Sequence, residues 1–249
     1  ELAELMVGKK ISKINKIVKQ KQNKILLKAE GINRKAENDF ATGLKNIKFT
    51  LNSGKIHGIA GISGNGQDEL MEVLTGEWKD INSIRKLELD RIDIRGFSPS
   101  KRRASGLGFV PEERNGHSSV TSMTLSENTL LTYHFLKEAS KNGIINERYL
   151  KKESKNIIKE FDVRVPQDNP LASSLSGGNL QKFVVGREII KTPKVLVVSQ
   201  PTWGVDVGAA RIIREAFIKL LQRGSSILLI SQDLDEIFAL SDEISVIYS

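Results

Sequence analysis

A chain of 249 residues, 39% of them hydrophobic, can build one large α/β domain or two small ones around a real core. It has no cysteine and only three widely spaced histidines, His57, His117 and His134, which excludes disulfides and thiolate metal sites and argues against a histidine zinc centre or redox chemistry. No apolar run approaches the roughly 20 residues that span a bilayer, and the start at Glu1 lacks a signal-peptide core, so a soluble, cytosolic domain is expected.

The net charge of +8 could serve nucleic acid or an anionic membrane surface. Part of it lies in residues 9–28, KKISKINKIVKQKQNKILLK. Those lysines alternate with isoleucines and lack arginine and aromatic partners, so they read as a linker and solvated surface, and no nucleic-acid partner is expected. From about residue 44 short β-rich runs alternate with helical stretches, which points to an α/β fold with a largely parallel sheet. The predicted strands are Leu44–Leu51, Ile56–Ala60, Leu87–Ile94, Leu107–Val110, Val195–Ser199, Ser226–Ser231 and Glu243–Tyr248. IHGIA, VLVVS and SILLIS are near-continuously apolar, as strands covered on both faces should be. Helices are predicted over Gly66–Thr75, Gly178–Ile190, Gly208–Leu221 and Leu234–Leu240 beside those strands. Residues 123–161, with helices over Ser126–Leu136 and Glu147–Phe161, read as an inserted helical block with no strand inside it. The opening ELAELMVG starts within a helical pattern and Ser249 follows directly on a strand, so the sequence is expected to be part of a longer polypeptide.

Gly61, Gly64 and Gly66 lie in GISGNGQDEL, between a strand and a helix. Backbone N–H groups in such a turn, with the positive end of the following helix, form an anion site without side chains. On this stretch alone, a phosphate site and a plain tight turn are equally good readings.

A second stretch decides between them. SSLSGGNLQKFVVGREI, residues 173–189, places Ser176, Gly177, Gly178 and Asn179 at the start of a helix expected to be amphipathic, which Ser176 can cap and whose glycines admit a ligand closely. With the following Gln181, this LSGG core resembles the signature motif of ATP-binding cassette (ABC) ATPases. GLGFVPEER at 106–114, KVLVVSQPTWGVDVGA at 194–209 and SILLISQDLDEI at 226–237 stand in that family's order. The resemblance covers residue 25 to the end. It implies a P-loop NTPase core with an antiparallel β part, a nucleotide-binding domain over 25–249, a helical subdomain inserted at about 114–175, and a linker from an upstream nucleotide-binding domain over 1–24.

Matched to the family pattern, the loop is Gly61, Ser63, Gly64, Asn65, Gly66, Gln67 and Asp68. Gln67 replaces the lysine that contacts the β- and γ-phosphates. Charge-assisted bonds contribute about 1.5–3 kcal/mol against about 1 for neutral ones, so nucleotide affinity is expected to fall. Asp68 replaces the magnesium-binding hydroxyl; it is the one metal candidate, and it also repels phosphate. Ser199 and Gln200 replace the Walker B acidic pair, Gln232 the switch histidine, and Glu112 matches the Q-loop glutamine. Loss of a general base typically removes about 10²–10⁴-fold in rate, so ATP hydrolysis by this domain alone is expected to be negligible, with ATP and Mg²⁺ weakly bound or absent at its own loop. The intact signature implies the opposite at a partner domain. Ser176, Gly177 and Gly178 would face the partner's ATP and Asp206 would cross the interface, where ATP and Mg²⁺ bind at full strength.

QPTWGVDVGA is similar to a stretch in the second ATPase half of bacterial importers for simple sugars and nucleosides, and ELAELMVG resembles the end of a first half. The replaced Walker B pair and SQDLDEI favour a nucleoside importer over a ribose- or galactose-type one. The implied partners are an upstream nucleotide-binding domain, transmembrane permease subunits and, indirectly, a solute-binding protein. The implied location is peripheral, on the cytoplasmic face of the inner membrane. Trp203 stands where arginine is usual, and reads as an altered interface or a surface aromatic. The adenine-stacking aromatic has no clear match, Ala36 and Phe40 being nearest. Glu112, Glu113, Arg114 and residues 115–124 are the expected permease contact. Two other readings, a soluble ABC protein acting on nucleic acid and a non-catalytic regulatory module, account less well for a short helical block and an intact LSGGNLQ.

Overall fold

A computed structural model describes residues 24–36 and 42–248. The expected linker lies outside the described residues apart from Lys24, as does Phe40. In chain order the elements are β1 (Ile25–Arg34), β2 (Leu44–Asn52), β3 (Ile56–Ala60), α1 (Gln67–Thr75), β4 (Ile84–Leu89), β5 (Ile92–Asp93), α2 (Pro99–Ala104) and β6 (Leu107–Val110). Then follow α3 (Leu125–Tyr133), β7 (Ser140–Lys141), β8 (Ile144–Ile145), α4 (Glu147–Glu160), α5 (Gly177–Ile190), β9 (Val195–Ser199), α6 (Val207–Gln222), β10 (Ser226–Ser231), α7 (Leu234–Leu240) and β11 (Glu243–Val246). They fall into two compact units.

The first unit comprises the described residues up to Glu112, Thr192–Gln200 and those from Leu220. It holds an antiparallel sheet of order β2-β1-β4-β5 and a parallel sheet of order β11-β3-β10-β9-β6. β3, β9 and β10 are buried at every residue, the condition their unbroken apolar runs require. One core cluster runs through both sheets, from Leu27 and Leu87 to Val197 and Leu228. Parallel register sets Ser199 opposite Ile230 and Ser231 opposite Ala60, so the carboxyl ends of β3, β9 and β10 lie side by side. In open α/β sheets this is the edge where ligands bind.

The second unit comprises, among described residues, Glu113–Lys191 and Pro201–Lys219. Thr124 and Glu127 form a reciprocal capping box that starts α3. Tyr133, Ala139 and Leu150 make a small core. Beside it, buried Glu188 pairs with Arg187 and Lys191 at 3.4 and 3.0 Å.

Three expectations are corrected, and two elements were unforeseen. Leu87–Ile94 is not one strand: Asp90 and Arg91 adopt φ of 50° and 71° and turn the chain between β4 and β5. Residues 123–161 do contain strands, since Asn142 and Gly143 (φ 52° and 80°) join β7 and β8 in a hairpin. The signature helix α5 is not amphipathic, because every residue from Leu180 to Ile189 is buried. β1 and α2 were also absent from the expected elements.

Candidate functional site

The first unit gathers the loop Gly61–Asp68 and the residues that end β9 and β10. Gly64 and Gly66 have φ of 82° and 104°, a left-handed backbone that glycine adopts without strain, and α1 begins directly after them. Gln67 is buried, and its carboxamide folds back into the turn. Nε2 donates to the Ile62 carbonyl at 2.8 Å, and Oε1 accepts from the Asn65 N–H at 3.0 Å. A Cβ on Gly61 would lie 2.6 Å from that Nε2 and 2.9 Å from the Ile247 carbonyl oxygen, so a larger residue there would force the backbone to shift. Ser63 and Asp68 are exposed on the same loop. Burial first, and then the charge of Asp68, push the Glu112 carboxyl above the ordinary carboxylate range.

At the strand ends, Ser199 and Gln200 are buried, and Gln200 holds a left-handed backbone with φ 48°. Its Oε1 accepts from the Gln232 backbone N–H at 3.3 Å and from Ser231 Oγ at 3.4 Å. Ser231 Oγ lies also 3.0 Å from the carboxylate of Glu236, which is buried. The structure brings Gln200 and the Gln232 backbone together and adds Ser231 and Glu236. The Gln232 side chain itself is exposed.

The second unit presents the signature residues. Ser176 caps α5, its Oγ accepting from the Asn179 N–H at 3.5 Å and from Asn179 Nδ2 at 2.9 Å. Ser176 and Gly177 are exposed, so the helix N-terminus opens to solvent. Asn179 Oδ1 accepts from the Arg164 N–H at 2.9 Å, and buried Gln181 donates to the Pro201 carbonyl at 3.0 Å. Asp206 Oδ1 accepts from the Ala209 N–H at 2.9 Å in the first turn of α6, and its Oδ2 would stand 3.3 Å from a Cβ on Gly178. Arg114 donates to the Trp203 carbonyl and comes within 3.0 Å of a Cβ on Gly177. Burial pulls its guanidinium below the usual range.

A family model described as ABC transporter matches residues 44–203. The chain belongs to the ABC transporter family.

The nucleoside import ATP-binding protein NupA of Lactococcus lactis is 39% identical over the whole chain and 48% of its own length. The guanosine import ATP-binding protein NupO of Bacillus subtilis is 37% identical over the same shares. The glucose import ATP-binding protein TsgD13 of Haloferax volcanii is 36% identical over the whole chain and 45% of its own length. The chain thus spans about half the length of these relatives. Among solved structures, the ATP-binding cassette MJ0796, in a dimeric post-hydrolysis state bound to ADP and Pi, superposes with a TM-score of 0.73. That match covers 90% of this chain and 94% of that one at 19% identity. The fold is that of an ABC ATP-binding domain, close to nucleoside and sugar import ATPases.

Within this ABC domain an open cavity of about 530 Å³ adjoins the loop, lined by Thr42, Lys45, Asn65 and Tyr248 among others. Tyr248 is the aromatic on its wall, whereas Ala36 offers no ring. Trp203 is an exposed loop aromatic, 65% accessible. Sequence reasoning missed Thr42, whose Oγ1 donates to the Gly64 carbonyl at 2.5 Å and whose N–H donates to Glu69 Oε1 at 2.9 Å. It also missed Glu236, although the apolar spacing of the DLDEIFAL run puts that residue on the same helical face as Leu240. Among the described residues no helix is long and apolar enough to cross a membrane, and no group of three metal-binding side chains occurs.

Proposed function

We propose that this chain is the second nucleotide-binding half of a tandem importer ATPase for nucleosides, acting as the half that lends its signature to the other's ATP. ABC ATPase domains bind ATP with Mg²⁺, and the residues at this chain's own loop fit that pair poorly. A neutral amide occupies the turn, and Asp68 and Glu112 bring carboxylates to the loop; Lys45, on the wall of the adjoining cavity, is a cation but belongs to β2 and not to the turn. Neither a Walker B carboxylate nor a switch histidine stands at Ser199, Gln200 or Gln232, so this half is hydrolysis-poor. The observation that carries the reading is the contrast between that filled loop and the exposed, capped N-terminus formed by Ser176, Gly177 and Gly178. Its backbone N–H groups and helix dipole are suited to the γ-phosphate of a nucleotide held by the partner half. The division over residues 25–249, with the helical insertion at about 114–175 and a preceding linker, belongs to the same proposal. So do the permease subunits, the indirect solute-binding protein and the peripheral position at the cytoplasmic membrane face. Nucleosides are named because the NupA and NupO similarities are the higher ones; TsgD13 at 36% supports a sugar importer as the second reading.

The test is Ser176→Arg in the full-length protein assembled with its permease, read by phosphate release and by uptake of radiolabelled nucleoside and sugar. Loss of both hydrolysis and nucleoside uptake is expected. Unchanged hydrolysis would overturn the signature-donor reading, and wild-type uptake of sugar alone would move the substrate to the second reading.

A further inference from the structure

Glycine-rich loops between a strand and a helix hold phosphate through inward-pointing backbone N–H groups. In this chain one of those groups, the Asn65 N–H, already has an acceptor in Gln67 Oε1 at 3.0 Å. The same carboxamide ties the far side of the turn, donating to the Ile62 carbonyl at 2.8 Å. Gln67 is 8% accessible, so it sits within the turn rather than over it. The outside of the loop is tied as well. Thr42 donates through Oγ1 to the Gly64 carbonyl and through its N–H to Glu69, in the first turn of α1.

We infer that the Gln67 carboxamide is the resident ligand of this loop, an internal surrogate that holds the turn closed and keeps a nucleotide polyphosphate out. It rests on the reading of this half as hydrolysis-poor and goes beyond it. A loop that had merely lost its lysine would be an open, weak site that fills at high nucleotide. A loop closed on its own side chain must break two bonds before a nucleotide enters, which raises the concentration needed to fill it. The amide is suited to this because it offers an acceptor to the N–H and a donor to the carbonyl at once. An ammonium could satisfy only the carbonyl. Asp68, exposed in the first turn of α1, adds a negative charge next to the loop.

The inference is tested by hydrogen exchange of the segment spanning Gly61–Leu70 in the full-length protein, with and without millimolar MgATP. In the wild type the Asn65 amide should be protected without nucleotide and unchanged by MgATP. In Gln67→Ala it should exchange roughly tenfold faster, the loss of one or two hydrogen bonds, and MgATP or inorganic phosphate should slow it again. Gln67→Met, which keeps the volume but neither polar atom, should lose the same protection if the alanine variant folds poorly. A wild-type loop that exchanges freely and becomes protected by MgATP would overturn the inference while leaving the hydrolysis-poor reading intact. Phosphate release from a protein whose partner loop has been disabled by mutation would overturn that reading instead.

Discussion

Arg102 closes the far end of the helix that Gln67 begins: its Nη1 donates to the carbonyls of Val73 and Leu74 at 2.6 and 2.8 Å. These are among the last carbonyls of α1, which have no partner within the helix. The guanidinium also donates to the carbonyls of Phe97 and Arg95, both at 3.0 Å, and is fully buried. Burial lowers its pKa to about 10, Asp93 opposing, so it stays charged at neutral pH.

Arg102→Met should therefore lower stability by about 3 kcal/mol or more, because each buried carbonyl left without a donor costs about 1–3 kcal/mol. Arg102→Lys should recover only part, since one ammonium cannot reach all four carbonyls. Urea denaturation of the two variants measures this, and a loss below about 1 kcal/mol in the methionine variant would show that the carbonyls are readily solvated.

A carboxylate introduced at position 200 should harm the fold. Gln200 Oε1 and Glu236 Oε2 share the Ser231 hydroxyl, so Gln200→Glu sets two buried carboxylates about one serine. The introduced carboxyl is pushed above its unfolded value near 4.3. For a group shifted upward, the penalty is absent below the unfolded pKa and grows as pH rises past it. The variant should match the wild type near pH 4 and be roughly 1–3 kcal/mol less stable at pH 7. Melting temperature against pH, taken as a difference between the two proteins, gives the result. A flat difference would mean that the pair is solvated or separated.

The signature helix should be intolerant of volume on its concealed side. A Cβ at Gly186 would come within 2.6 Å of Cδ2 and 2.7 Å of Cγ of Phe161, a ring that is itself buried. Gly186→Ala should cost about 1–3 kcal/mol through overpacking. Adding Phe161→Leu should restore part of it, and a double-mutant cycle by chemical denaturation should give a coupling of opposite sign to the single losses.

Legibility in the sequence followed the kind of force involved. β3, β9 and β10 could be read at their true boundaries because burial on both faces leaves an unbroken apolar run, and the glycine loop because strand, turn and helix follow without a gap. The hairpin at Asn142–Gly143 carried an explicit turn signal that a helical reading of the block overrode. The turn at Asp90 carried no glycine, and long-range bonds mark it instead, with Lys24 and Lys194 each contacting its carboxylate at 2.5 and 2.7 Å. At the site the residue types were visible, but the bonds they make were not. Gln67 is one letter in a row, and only geometry shows its amide turned inward. Asp206 could be placed after β9, yet its bond to the Ala209 N–H at the start of α6 is a matter of three dimensions.

Any Cβ that Gly61 might carry would meet Gln67 Nε2 at 2.6 Å and Ile247 Cγ2 at 2.7 Å. The three positions are therefore sterically interlocked, and an exchange at one changes what the other two can accept. A lysine at position 67 would have to place a longer, charged chain in a space fitted to an amide, at the expense of two bonds already made. The residues at 61, 67 and 247 form one packing unit, in which the bonds that settle one residue fix the space left to its neighbours.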